Sequence, residues 1–196
     1  MLRKSDTEKH AIRQSIRSRR VNLTRQQLEA AQLGLVNSAL QCNQLRFAKR
    51  ILSYAPFDGE ISPVALVERL TSATLYLPKI NNYRNCSMQI FPASRTTTKN
   101  RFGILEPQAI GSPLNANQVD IILLPLVGFD RHGNRLGMGA GYYDRALRAL
   151  AHQTSTRPIL IGLAHHFQEL GFIESEKWDV PLDAILTDRE YIRASN

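Results

Sequence analysis

An α/β fold with a mostly parallel central sheet is predicted by three features of this chain. Short apolar runs at 51–54, 121–129 and 158–164 alternate with stretches of helical spacing, the pattern of strands joined by covering helices. The middle run is almost uninterrupted Ile, Leu and Val, as expected of a strand buried on both faces. A glycine-rich stretch then stands between that run and a helical pattern. At 196 residues the chain can bury about 70% of its unfolded surface. With no internal repeat or linker to divide it, a single domain over 1–196 is predicted, a three-layer α/β/α sandwich with N-terminal helices 6–43 packed on the α/β core.

The elements follow in order. Ser5 or Asp6 can cap a first helix whose thin apolar stripe is Ala11, Ile12, Ile16 and Val21. Lys9 and Arg13, four apart, share one face of it. Thr24 and Gln27 make a capping box ahead of Leu28, Ala31, Leu33, Leu35, Val36, Ala39 and Leu40, so a second helix begins there. Arg50 to Ala55 reads as a strand running into Pro56-Phe-Asp-Gly-Glu60, and Ser62-Pro63 marks N-cap and N1 of a helix through Leu70. Leu75 to Pro78 is a short strand ended by proline, and Ser87 to Phe91 another, with Asn81 to Cys86 as a hairpin-like link. Pro92 to Asn100 is polar and reads as a surface loop. Asp120 to Leu126 is the central strand, Pro158 to Ala164 a further buried one, and Ala184 to Leu186 the last.

The glycine-rich stretch runs from Gly133 to Asp144 as Gly-Asn-Arg-Leu-Gly-Met-Gly-Ala-Gly-Tyr-Tyr-Asp. Gly137, Gly139 and Gly141 remove the Cβ atoms that would hold a ligand away from the backbone, so successive N–H groups can converge on an anion. The helix beginning at or just after Gly141, with Arg145 to Ala151 in helical spacing, adds its positive dipole end. Arg135 offers a planar fork suited to phosphate oxygens, and Asp144 an oxygen ligand for a metal ion riding on them. No Lys-Ser or Lys-Thr completes a Walker loop, and Tyr142 occupies the place of a dinucleotide motif's third glycine. A polyphosphate is the ligand class these residues suit.

Composition narrows the alternatives. The formal charge is +8, and residues 1–25 hold eight Lys or Arg against Asp6 and Glu8, which calls for an anionic partner or a merely soluble surface. A nucleic-acid-binding module is one alternative, but it leaves the glycine stretch unexplained and lacks interleaved aromatic residues. A phosphosugar or CoA-ester enzyme of similar architecture is another. The first thirty residues have no apolar core of a signal peptide, and the longest apolar run, broken by Pro125, is far short of a bilayer span. Cys42 and Cys86 have neither CxxC nor metal spacing, so reduced thiols and a cytoplasmic setting are expected. His165-His166 lacks a second pair at zinc-ligand spacing.

Pro125-Leu-Val-Gly-Phe-Asp130 followed by the Gly133–Asp144 stretch resembles the signature of the 5-formyltetrahydrofolate cyclo-ligases, also called 5,10-methenyltetrahydrofolate synthetases. Further pieces in the right order extend the resemblance over nearly the whole chain. Lys9-His-Ala-Ile-Arg13 is similar to the family's N-terminal ATP contact. Glu60 stands where members carry a folate-touching glutamate, and Ala55 where a backbone contact lies. Phe102-Gly-Ile-Leu-Glu106-Pro107 resembles a Gly-x-x-Glu-Pro element that reads as structural. Trp178-Asp179-Val-Pro-Leu-Asp183 resembles the closing element, with Asp179 as a magnesium-associated acid, although Glu174 replaces a common proline. Some members carry lysine where Ala140 stands.

The resemblance implies a three-layer sandwich and ATP-dependent closure of 5-formyltetrahydrofolate, with or without a polyglutamate tail, to 5,10-methenyltetrahydrofolate, with ADP and phosphate released. It implies ATP contacts from Lys9, Arg13, Arg135, Leu136, Gly137, Met138, Gly139, Ala140, Gly141, Tyr142 and Tyr143, with Arg135 catalytic. Folate contacts fall on Ala55, Glu60 and Met138 to Tyr142, and Mg²⁺ on Asp144 and Asp179.

Overall fold

In the computed structural model, residues 6–148, 157–176 and 179–195 are described. Helices α1 (Asp6–Val21), α2 (Arg25–Ala39) and α3 (Asn43–Phe47) lead into strand β1 (Arg50–Leu52). One turn of helix, α4 (Val64–Val67), precedes β2 (Thr74–Asn82) and β3 (Ser87–Pro92). The hairpin of β4 (Thr97–Lys99) and β5 (Leu105–Pro107) follows, then β6 (Ile121–Pro125) and a second hairpin of β7 (Gly128–Phe129) and β8 (Arg135–Leu136). Helix α5 (Tyr142–Arg148) and strands β9 (Ile159–Ala164), β10 (Ala184–Thr187) and β11 (Tyr191–Arg193) complete the chain.

The main sheet has seven strands in the order β11-β10-β9-β6-β1-β2-β3. Its five inner strands are parallel, and β11 and β3 run antiparallel at the two edges. β6 lies at the middle, and its period of two divides the core. Ile121 and Leu123 face a cluster built with Leu35, Val36 and Ala39 of α2, Leu45 of α3 and Leu66 of α4. Ile122 and Leu124 face the other layer, with Leu147 of α5, Phe129 and Leu182. All four are at most 1% exposed, and each such side chain contributes roughly 1.5–3 kcal/mol. The mixed α/β architecture with helices on both faces is the one the strand pattern predicts.

The capping box at α2 forms as expected, with Thr24 Oγ1 accepting from Gln27 N–H and the Gln27 side chain accepting from Thr24 N–H. Gly34 lies where a Cβ would meet the Asp188 carbonyl oxygen at 2.1 Å, so the helix rests directly on backbone. Helix α1 belongs to a third, smaller cluster in which Ile16 and Ile12 meet Val127, Leu136 and Ile173. That cluster lies beyond the carboxyl ends of β6 and β9.

Several expected elements differ. Val21, Leu33 and Leu40 are exposed rather than packed; the stripe of α1 continues from Ile12 and Ile16 to Arg20, the next position at the spacing of four. The helix expected from Ser62 to Leu70 is only α4, because Pro63 is its N-cap and the chain reverts to single turns after Val67. β2 does not end at Pro78. β1 is paired only as far as Tyr76, so at Pro78 no neighbour on that side needs an N–H, and proline is tolerated. The expected loop over Pro92 to Asn100 contains β4, which pairs with β5. There Glu106 accepts from Ile80 N–H and Asn100 Nδ2 at 2.9 Å each, tying the hairpin to β2; its part is structural, as expected. The apolar run to Phe129 is two strands, since the chain turns after Pro125. The Ser5 cap, the 149–151 end of the last expected helix and Trp178 lie outside the described residues. None of the described helices is long and apolar enough to cross a membrane.

Candidate active site

Connections from β1 lead to β2 on one side, whereas β6, β9 and β10 continue on the other. The strand order therefore reverses between β1 and β6, and the crevice at their carboxyl ends is where open α/β sheets take ligands. Three segments meet there: residues 53–62 after β1, residues 137–141 after β8, and helix α1 laid across both.

The glycine segment does not directly follow the central strand. The hairpin β7–β8 intervenes and delivers Leu136 into the α1 cluster and Gly137 to the surface. A Cβ on Gly137 would meet nothing within 4 Å, so this stretch of backbone fronts open space. Gly139 has φ +94°, a left-handed conformation that side chains other than glycine disfavour, and its open side faces the Arg13 guanidinium. Arg13 Nε donates to Gly137 O at 2.8 Å. Arg145 Nη1 donates to the Ala140 and Gly141 carbonyls, both at 3.1 Å. With cations on its oxygens, the loop is held with those carbonyls engaged. Met138 is 41% exposed, and Lys9 is half-buried one turn before Arg13 on α1.

Arg135 and Asp144, expected on phosphate and on metal, lie against each other. Arg135 Nη2 reaches Asp144 Oδ1 at 2.5 Å, with 8% of the arginine side chain exposed and 46% of the aspartate's. Arg135 Nη1 also donates to Val180 O. Asp179 precedes that carbonyl and accepts from Glu176 N–H at 2.9 Å. One guanidinium thus links the segments carrying both expected metal acids. Tyr143 turns toward the core beside Leu147, and burial, then Glu60, pushes its hydroxyl well above its ordinary range. Tyr142 faces the other way, edge-on to Phe102 at 6.5 Å. Phe102 meets Tyr83 at 5.8 Å, and the Arg101 guanidinium lies 3.9 Å over the Tyr83 ring.

After β1, Tyr54 donates to Ile61 O at 2.6 Å and braces the loop; Ala55 is half-buried within it. Glu60 Oε2 accepts from Phe57 N–H at 3.1 Å. Burial raises the Glu60 carboxyl to about 7, against the opposing pull of Arg20 and of that N–H. Asp58 is half-buried, and although burial pushes its carboxyl up, Arg17 at 2.7 Å and Arg20 at 3.1 Å outweigh that and hold it below its ordinary value.

Sequence reasoning passed over Arg20, Asp58 and Gln168, and weighed His165 only as a metal ligand. Arg20 carries no exposed side-chain surface and donates to Leu126 O at 3.2 Å. Gln168 Nε2 donates to the same carbonyl at 2.6 Å. His165 Nε2 meets Gly59 O at 3.0 Å, and burial lowers its pKa. For Arg20 the signal was present, since 12, 16 and 20 share a helix face; for the others no local motif announces the role. Arg19 lies 4.0 Å over the Phe167 ring. The basic side chains of α1 are therefore largely turned onto the protein. Among the described residues one group could surround a cation, His166, Glu169 and Glu190, but Arg131 already bridges both glutamates at 2.7 Å.

A sequence profile described as the 5-formyltetrahydrofolate cyclo-ligase family matches residues 5–188. The chain belongs to that family. It is 38% identical over 184 residues to the 5-formyltetrahydrofolate cyclo-ligase of Haemophilus influenzae, covering 91% of this chain and 97% of that one. The Escherichia coli protein of the same name is 32% identical over 177 residues, covering 88% and 96%. The NMR structure of Aquifex aeolicus 5,10-methenyltetrahydrofolate synthetase superposes with a TM-score of 0.80 at 26% identity, over 96% of this chain and 93% of that one. The matched residues include α1, the Glu60 loop and the glycine loop, the segments that meet at the switch point.

Proposed function

We propose that the protein catalyses the ATP-dependent cyclisation of 5-formyltetrahydrofolate to 5,10-methenyltetrahydrofolate in the cytoplasm. The observation that carries this is the convergence, at the β1/β6 crevice, of an open glycine backbone, the Arg13 and Arg135 guanidiniums and the buried Glu60. In this reading the formyl oxygen attacks the γ-phosphorus of ATP, ADP departs, and the oxygen becomes a phosphate leaving group. N10 then attacks the formyl carbon and loses its proton as phosphate leaves.

Such a reaction asks the protein for positioning and charge stabilisation rather than covalent chemistry. Lys9, Arg13 and the Leu136–Tyr143 segment would hold the ATP phosphates and Arg135 the transferred group. Glu60 and Ala55, with Met138 to Tyr142, would hold the folate, whose flat ring suits an aromatic partner such as the half-buried Tyr142. Asp144 and Asp179 supply carboxylate oxygens, the donor type a hard cation such as Mg²⁺ takes. Bound there, Mg²⁺ would offset phosphate charge. Nothing in the site favours a nucleic-acid or CoA-ester reading.

The test is the appearance of methenyltetrahydrofolate absorbance when purified protein meets 5-formyltetrahydrofolate and Mg²⁺, with and without ATP. Signal that requires ATP is expected. Folded protein that binds ATP and gives no signal would sink the folate assignment.

A further inference from the structure

Among the described residues Arg20 is the largest side chain wholly removed from solvent, and it is charged. Its Nη1 donates to Leu126 O, at the carboxyl end of the central strand, and lies 3.9 Å from Glu60 Oε1. Its Nη2 donates to Asp58 Oδ2 at 3.1 Å and touches Met138 Sδ at 3.9 Å. The Nε has no partner although it is buried. An arginine kept only for stability is a poor choice here, because a buried ion pair barely offsets its desolvation and an orphaned donor adds to the cost. What the placement does achieve is mechanical: one rigid fork joins the loop after β1, the end of β6 and the glycine segment.

The geometry points to Arg20 as a positioning residue that holds the Asp58–Glu60 loop against Leu126 and so presents the Glu60 carboxylate to the folate. The inference rests on the reading that Glu60 contacts the folate. As a carboxylate, Glu60 offers two charged acceptor oxygens to the N–H donors of a pterin; protonated, it turns one of them into a donor, and misdirected, it presents neither. The groups facing it are Arg20 from α1, Asp58 and the Phe57 N–H from its own loop, Tyr54 from the end of β1, and Tyr143 from α5. Arg20 is the only cation among these, and it favours the ionised acid.

The experiment compares Arg20→Met, Arg20→Lys, Glu60→Gln and the double variant Arg20→Met/Glu60→Gln in the full chain. KM is measured separately for 5-formyltetrahydrofolate and ATP, with kcat at saturation. Arg20→Met should raise the folate KM by at least about tenfold, the scale of one charge-assisted contact, with the ATP KM and kcat changed by less than about threefold. The double variant should be no worse than Glu60→Gln, as expected when two residues act through one contact. A general loss of structure would instead raise both KM values together, and that result overturns the proposal. So does a double variant in which the two effects multiply.

If Arg20→Met does not fold, Arg20→Lys carries the test through the pH profile. The shorter ammonium favours the Glu60 carboxylate less, so the acid limb of kcat/KM for the folate should move to higher pH; an unmoved limb overturns the proposal. A Glu60→Gln variant with unchanged folate KM removes the Glu60 reading itself, and the Arg20 proposal falls with it. An impaired Glu60→Gln beside a normal Arg20→Met overturns the Arg20 proposal alone.

Discussion

Arg13 donates to the glycine segment and Arg135 stands two residues before it in the chain, and the two are anchored differently. Among the described residues Arg13 donates to one carbonyl, through Nε, and its two terminal nitrogens can turn to an incoming anion. Arg135 is nearly enclosed, with one nitrogen on Val180 O and another on Asp144, so its fork is pre-oriented before any phosphate arrives. Arg135→Ala is expected to cut turnover by at least ~10³, by analogy with transition-state arginines, measured as methenyltetrahydrofolate formed per enzyme. A loss below about tenfold would remove it from the phosphate role. The Arg135 pairing with Asp144 was not legible from residue types, because an arginine and an acid nine positions apart meet only after the chain has turned through the loop. Glu60, by contrast, was singled out from the sequence, yet its neighbours Arg20 and Asp58 were not. The Arg20 charge disguised a core position among four other arginines within residues 13–25.

Among the elements, those with an apolar run, strong periodicity or a cap were legible, the short β1 and β10 included, while the far half of β2 and the strands made only by pairing were not. α1, α2, β6 and β9 rest on strong periodicity or an unbroken apolar run, and α2 on a cap that forms as written. The two-residue strands β7 and β8 and the three-residue β4, β5 and β11 are defined by pairing with distant partners, which no local pattern encodes. α2 also offers a contest between two effects at Gly34. Alanine there would gain about 1 kcal/mol of helix propensity, but its Cβ would stand 2.1 Å from the Asp188 carbonyl oxygen. Backbone cannot swing aside, and overpacking of this kind costs roughly 1–3 kcal/mol. Gly34→Ala should therefore lower stability in urea denaturation despite the better helix former; a more stable variant would mean that α2 can lift from β10 freely.

For the whole molecule, the site sets a pH dependence on the fold. The Glu60 carboxyl rises from its ordinary 4.5 to about 7 through burial. An acid raised in this way contributes stability that is fully present below the unfolded value and lost as pH rises through about 7. Glu60→Gln keeps the acceptor for Phe57 N–H but never ionises. At pH 8 it should be more stable than the parent by roughly 1–3 kcal/mol, with the difference vanishing near pH 4.5. Melting temperatures at the two pH values check this, and equal shifts at both would exclude ionisation as the cause. Asp58 acts oppositely: its carboxyl is lowered by Arg17 and Arg20 despite burial, so its contribution is present above the ordinary carboxylate range and fades in acid.

The span between partners along the chain has a consequence during synthesis. Arg20 finds Leu126 at a separation of 106 residues, and Arg13 finds Gly137 at 124. Asp58, which pairs with Arg17 and Arg20, follows within 41 residues, but at the ribosome's about 5–20 residues each second the Leu126 and Gly137 carbonyls come roughly 5–25 s after α1. Its apolar side chains belong to neither of the two large clusters around the sheet, and the sheet's interior can assemble without it. The first helix made thus completes its docking late, and the newborn chain passes through an interval in which its most basic segment is held at the Asp58 loop alone while the candidate crevice stands uncovered.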